Sequence, residues 1–132
     1  VTAQMNVLVI DDDTNVLDFF QVQLARLQGY EFNLCPESKL GLQALSDNPP
    51  DILIIDWLMP GWNGIDILRE VGKNPDIDLP PFVAMISAAP DLELLSMIAT
   101  ELGASEVLPK PLTEQVVSAM LRRAETRIAT GV

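Results

Sequence analysis

The stretch Pro50–Asp66, PDILIIDWLMPGWNGID, decides the reading of the fold. A turn pair, Pro50 and Asp51, leads into four consecutive apolar residues, Ile52 to Ile55, and the run stops on an acid, Asp56. A short run that is apolar throughout and does not alternate predicts a strand buried on both faces, as in a parallel sheet covered by helices. After a loop through Met59 and Pro60, Asn63 with Asp66 three residues on predicts a capped helix from Gly64 to Val71.

Working outward, four more apolar runs bounded by turn residues read as strands: Asn6 to Ile10, Phe32 to Cys35, Phe82 to Ile86 and Glu106 to Leu108. Helical patterns lie between them. Leu17, Phe20, Leu24 and Leu27 form one apolar face after Asp13 or Thr14 as a cap, with Gly29 as the expected stop. Leu92, Leu95, Ala99 and Leu102, started by Pro90 and ended by Gly103, give another helix; Val117, Met120, Leu121, Ala124 and Ile128 give the last. The segment from Ser38 to Ser46 is read as a short helix. Five strands alternating with five helices on short loops predict an α/β fold, a doubly wound five-stranded parallel sheet of order 2-1-3-4-5. Such a sheet binds ligands outside the carboxyl ends of its first and third strands, where the strand order reverses.

The 132 residues, 48% of them apolar, suit one domain spanning 1–132 with its core at about 5–128. A single cysteine, Cys35, excludes an internal disulfide, and no apolar run approaches the ~20 residues a bilayer requires. With no charged-then-apolar leader pattern at the N-terminus, the expectation is a cytoplasmic protein without a membrane partner. A formal charge of −11 repels a phosphate backbone, which argues against nucleic acid as a partner of this domain. The absence of histidine removes His-ligated zinc and Ser-His-Asp chemistry, leaving carboxylates, hydroxyls and lysine.

Those groups collect at the predicted crevice. The first strand runs into Asp11, Asp12 and Asp13, and the third into Asp56. Any one of these alone is an ordinary loop or capping acid. Convergence of several like charges is costly unless a cation offsets them, and clustered oxygen ligands suit a hard ion such as Mg²⁺. Lys110, bracketed by Pro109 and Pro111 after the fifth strand, brings an ammonium to the same edge, and Ser87 after the fourth brings a hydroxyl. Acids for a cation, one accepting carboxylate, one ammonium and one hydroxyl are equipment for phosphoryl transfer.

From Asn6 to about Ile128 the chain resembles receiver domains of two-component response regulators, a flavodoxin-like (βα)5 family. The resemblance rests on NVLVIDDD at the first strand, PDILIIDWLMPGWNGID around the third, MISA at the fourth and ELGASEVLPKPL across the fifth, in family order and spacing. It implies that Asp56 is the phosphoacceptor, Asp12 a direct Mg²⁺ ligand, Asp11 a ligand acting largely through water, and the Leu58 backbone carbonyl a further ligand. It implies too that Ser87 is the switch hydroxyl and Lys110 the lysine that pairs with the phosphoryl group. The implied partner is a sensor histidine kinase or histidine phosphotransfer protein whose phosphohistidine supplies the group.

The chain departs from the family at Val107, where an aromatic residue usually stands three positions before the lysine. That aromatic reports the switch by its rotamer, so signal here is expected to leave through loop and helix shifts. Leu58 and Ala89, two positions after Asp56 and Ser87, offer no side chain to position an attacking water, which predicts slow self-dephosphorylation. Trp57 and Trp62 are read as loop residues packing on the sheet edge, and Arg122, Arg123 and Arg127 as charge suited to a helix C-terminus. Two other readings compete. One is a receiver fold acting as a docking module without phosphorylation. The other is a Mg²⁺-dependent phosphohydrolase of the haloacid dehalogenase type, whose nucleophile motif fails because Asp11 and Asp13 are followed by Asn15. A flavodoxin-type cofactor binder fits less well, because its first loop must cradle phosphate and this one carries three acids.

Overall fold

The computed structural model describes residues 4–131; the sequence-based domain bounds 1–132 include residues 1–3 and 132, which lie outside the described residues. The chain runs β1 (Met5–Ile10), α1 (Thr14–Arg26), β2 (Tyr30–Cys35), α2 (Ser38–Asp47), β3 (Ile52–Asp56), α3 (Gly64–Lys73), β4 (Phe82–Ser87), α4 (Leu92–Glu101), β5 (Glu106–Pro109) and α5 (Glu114–Thr130). All pairings are parallel, in the order β2-β1-β3-β4-β5.

The pleat explains why the central runs are apolar without interruption. Successive side chains leave a strand on opposite faces, and both faces here are covered. Leu8, Ile10, Leu53, Ile55, Val83 and Met85 pack with Leu45, Ile67, Leu68, Leu95 and Ala99 from α2, α3 and α4. Their sequence neighbours Val7, Val9, Ile52, Ile54, Phe82, Ala84 and Ile86 pack with Leu17, Phe20 and Leu24 of α1 and with Val117, Met120 and Leu121 of α5. The sheet therefore separates two cores.

The edges differ from the sequence expectation. β2 alternates, with Tyr30, Phe32 and Leu34 half-buried while Glu31 and Asn33 are exposed, because an edge strand keeps one face partly in water. Exposed acid and amide at that position also discourage pairing with another sheet. α1 stops at Arg26 and not at Gly29; Leu27 turns extended, and Gly29, at φ 95°, makes the turn into β2 two residues later. α4 starts after Asp91, whose carboxylate accepts from the Leu94 N–H at 3.2 Å, an acceptor that Pro90 cannot supply. At α3 the expected cap is present as a reciprocal box between Asn63 and Asp66, each bond 2.9 Å.

Fully buried Ile54 serves the α1/α5 core, so Ile54→Ala leaves a cavity and should lower stability by about 2 to 5 kcal/mol. Asn33→Ala on the exposed edge should stay within about 0.5 kcal/mol of the parent. Urea unfolding of the three proteins measures both.

Candidate functional site

The register of β1 and β3 builds the site. Ile10 lies opposite Ile55, so Asp11 and Asp56, each one residue further on, leave the sheet side by side. Both are buried: Asp11 has no solvent exposure and Asp56 only 4%. Asp12 is exposed at the mouth. Carboxylate oxygens of Asp11, Asp12 and Asp56 all lie within 4.8 Å of one another.

Lys110 enters from the end of β5. Its Nζ is 3.0 Å from Asp11 Oδ2 and 3.3 Å from Asp56 Oδ1. The loop that carries it is fixed by main chain, since the Lys110 N–H donates to the Ser87 carbonyl at 2.8 Å and the Lys110–Pro111 peptide is cis. Asp11 is held in turn by the Asp13 N–H, which donates to Asp11 Oδ1 at 2.9 Å. The Asp13 carboxylate caps α1 through the Asn15 N–H.

Burial pushes the Asp56 carboxyl up to about 6; the Asp11 charge adds to the rise, and Lys110 opposes it. For Lys110, burial works against the ammonium, but the two carboxylates outweigh it and raise its pKa. Two carboxylates face a single ammonium here, with the acid Asp12 at the mouth, so acidic groups outnumber basic ones in the pocket.

The donor set suits a hard divalent cation. Asp11 Oδ2 is buried and, although an ammonium lies 3.0 Å away, it has no well-oriented hydrogen-bond donor. An octahedral Mg²⁺ shell at ~2.1 Å needs ligand oxygens ~3 to 4 Å apart, a spacing that carboxylates clustered this closely can reach. Asp11, Asp12 and Asp56 are thus brought together with Lys110, as the sequence led one to expect. Ser87 differs: it is buried at the end of β4, and its Oγ accepts from the Ala89 N–H at 2.9 Å, so the hydroxyl is engaged within its own loop. Leu58 stands two residues beyond Asp56 and is 57% exposed.

The two tryptophans part ways. Trp57 is half-buried against the α2/α3/α4 core, whereas Trp62 is exposed and lines a groove of about 310 Å³ that opens beside Asp12. The expectation of packing therefore fails for Trp62, because the loop from Pro60 to Asn63 carries it outward. On the other flank a cleft of about 430 Å³ runs from Val16 and Phe19 of α1 to Lys110 and Leu112. Arg123 is committed to a two-bond ion pair with Glu106 of β5, at 2.6 and 2.8 Å, and is not simply terminal charge. Sequence reasoning missed the main-chain ties Trp57 N–H to Ile86 O and Lys110 N–H to Ser87 O, which join the residues just past β3 and β5 to the end of β4. Only the inter-strand register reveals them.

Comparison with known proteins points one way. The model of the response regulator receiver domain family matches residues 7–122. The chain is 29% identical over 130 residues to a probable transcriptional regulator of Cyanidium caldarium, covering 96% of this chain and 50% of that one. It is 26% identical over 129 residues to the phosphate regulon transcriptional regulatory protein PhoB of Pseudomonas aeruginosa, covering 95% and 53%. The chain spans about half the length of these curated relatives. Among solved structures, a response regulator receiver domain protein from Clostridium thermocellum superposes with a TM-score of 0.80 at 31% identity, over 97% of this chain and 99% of that one. A receiver domain protein from Methanospirillum hungatei shares the fold, with a TM-score of 0.80 at 20% identity over 97% and 99%.

The raised Asp56 pKa has a sign that thermal unfolding can read. A carboxyl at about 6 in the fold and ~4 when unfolded binds more protons in the native state, so stability rises as pH falls from 7 through about 6 toward 4. Asp56→Asn should stabilise the metal-free protein at pH 7 by about 1 to 3 kcal/mol, with the gain fading toward pH 4. A variant less stable than the parent at pH 7 contradicts this electrostatic account.

Proposed function

The chain belongs to the response regulator receiver domain family, and on that premise we propose that it takes a phosphoryl group from a partner's phosphohistidine onto Asp56 in a Mg²⁺-dependent reaction. The observation that carries the reading is the contact of one ammonium, Lys110, with two buried carboxylates, Asp11 and Asp56, at the sheet's carboxyl edge.

A carboxylate oxygen of Asp56 attacks phosphorus while the bond to the donor's imidazole nitrogen breaks, giving an acyl phosphate and a free histidine. At pH 7, above the Asp56 pKa of about 6, the carboxylate is mostly ionised and ready to attack. Lys110 offsets charge on the transferred oxygens, and the burial of Asp56 limits access of water to it. Asp11, Asp12, Asp56 and the Leu58 carbonyl are the proposed Mg²⁺ ligands; the exposed Leu58 side chain suits a residue that contributes main chain only. When bound, Mg²⁺ supplies charge neutralisation at the phosphoryl oxygens.

The domain is then no classical enzyme. It catalyses its own phosphorylation and slow dephosphorylation only, consistent with Leu58 and Ala89 beside the site. Its partners are a sensor histidine kinase or histidine phosphotransfer protein in the cytoplasm, and a downstream protein or effector domain that reads the modified surface. Among the described residues no helix is long and apolar enough to cross a membrane.

Switching is proposed to begin at Ser87. A phosphoryl group on Asp56 replaces one carboxylate charge with about two and adds three acceptor oxygens, which draw the hydroxyl away from the Ala89 N–H and free the β4–α4 loop. Val107 is half-buried against the α2/α3/α4 core and is stiff at χ1, so the loop and α4 carry the change in place of a rotating ring.

Mg²⁺ with beryllofluoride, a mimic of phosphoryl on aspartate, should shift backbone resonances from Ala88 to Leu108 in the parent and leave Asp56→Asn unchanged. Equal responses in both proteins remove Asp56 from the role of acceptor. The phosphorylated isolated domain should persist for minutes or longer at neutral pH, and a lifetime of seconds in a phosphate-release assay contradicts slow dephosphorylation.

A further inference from the structure

Gly64 is the first residue of α3, follows the Asn63 cap, and donates its N–H to the Trp57 carbonyl at 2.9 Å. Glycine is a poor helix residue, and alanine is better in a helical turn. Backbone torsion does not demand glycine here either, since the glycines with positive φ are Gly29, Gly61, Gly103 and Gly131. What excludes a side chain is space. A Cβ on Gly64 would stand 2.6 Å from the Asp56 carbonyl oxygen, 3.3 Å from its carbon and 3.1 Å from Met85 Cε. The obstacle is main chain, which cannot swing aside as a side-chain tip can. Gly72, in the same helix, has open space where its Cβ would be.

We propose that Gly64 is a positioning residue for the acceptor: its bare Cα lets the start of α3 rest directly on the backbone of Asp56 and fixes where that carboxylate stands. The inference rests on the reading of Asp56 as acceptor. Asp56 is the last residue of β3, held on one side by its pairing with Ile86 of β4. Beyond it the chain enters the loop that the Gly64 N–H closes onto the Trp57 carbonyl. A methyl group on Gly64 must push either α3 outward or the Asp56 peptide toward the pocket. The second movement disturbs the 3.3 Å contact to Lys110 and the clustering of oxygens with Asp11 and Asp12. Misplacement of reacting groups by a fraction of an ångström to 1 Å is worth ~10- to 100-fold in rate.

The test compares the parent with Gly64→Ala, Gly72→Ala and Asn63→Ala. Mg²⁺ affinity is read from the midpoint of intrinsic tryptophan fluorescence titrations, to which Trp57 and Trp62 both contribute, and amide spectra are taken without metal. Gly64→Ala should weaken Mg²⁺ binding about tenfold, slow phosphorylation by a small-molecule phosphoryl donor to a similar degree, and displace the Asp56 and Trp57 amide resonances in metal-free protein. Gly72→Ala should hold the parent's affinity within about twofold, since its methyl meets nothing. Adding Met85→Ala to Gly64→Ala should not restore binding; restoration would mean that the methionine tip and not the carbonyl is the obstacle, and would overturn the proposal. If Gly64→Ala does not fold, Asn63→Ala carries the test: releasing the cap loosens the first turn without adding an atom and should weaken Mg²⁺ binding by about threefold. Parent-like affinity in the folded variants refutes a positioning role, whereas a parent that binds no Mg²⁺ refutes the acceptor reading itself.

Discussion

One ammonium between two buried carboxylates is the interaction on which the site depends. Asp11 and Asp56 leave adjacent strands of a parallel sheet, and the register gives them no freedom to avoid each other. Without Lys110 at 3.0 and 3.3 Å, two buried like charges would face one another across the crevice, a situation that raises pKa values until one group neutralises. The ammonium lessens this conflict without removing it, and burial, reinforced by the Asp11 charge, keeps Asp56 well above the ordinary carboxylate range. That residual imbalance suits a site built to accept a divalent cation and then a phosphoryl group. Stability is given up locally where chemistry needs charge held in place.

The scaffold tolerates this because it is over-determined elsewhere. Two cores, one on each face of the sheet, fix the three central strands from both sides, and among the described residues the buried polar ones are few: Asp11, Gln23, Asp56 and Ser87. Three of these four sit at the carboxyl ends of β1, β3 and β4. The main-chain bonds Trp57 to Ile86 and Lys110 to Ser87 then tie the residues just past β3 and β5 to the end of β4 along the same rim. Acceptor, hydroxyl and ammonium are thereby mounted on one continuous edge of hydrogen-bonded backbone.

Much of this was legible in the residues. The unbroken run Ile52 to Ile55 signalled burial on both faces, and Asn63 with Asp66 signalled the start of α3, because both depend on neighbours in sequence. The convergence of Asp11, Asp56 and Lys110 followed from strand order. Less accessible were features set by tertiary placement. The alternation in β2 became meaningful only once that strand was known to be an edge. Trp62 could not be told from Trp57 by composition, because exposure follows from the direction in which the Pro60–Asn63 loop leaves the sheet. Ser87 ends β4, yet whether its Oγ turns to accept from the Ala89 N–H is a choice of side-chain rotamer that sequence does not specify.

The partition of the central strands into two sets of side chains carries a further consequence. Because Val7 and Val9 serve one core while Leu8 and Ile10 serve the other, loss or gain of a single residue within β1 would exchange the two sets and turn Asp11 away from Asp56 in the same stroke. The same holds for β3 and Asp56. An inserted or deleted residue leaves the site intact only in a loop, since counting residues along a strand and aiming its terminal acid are one and the same operation.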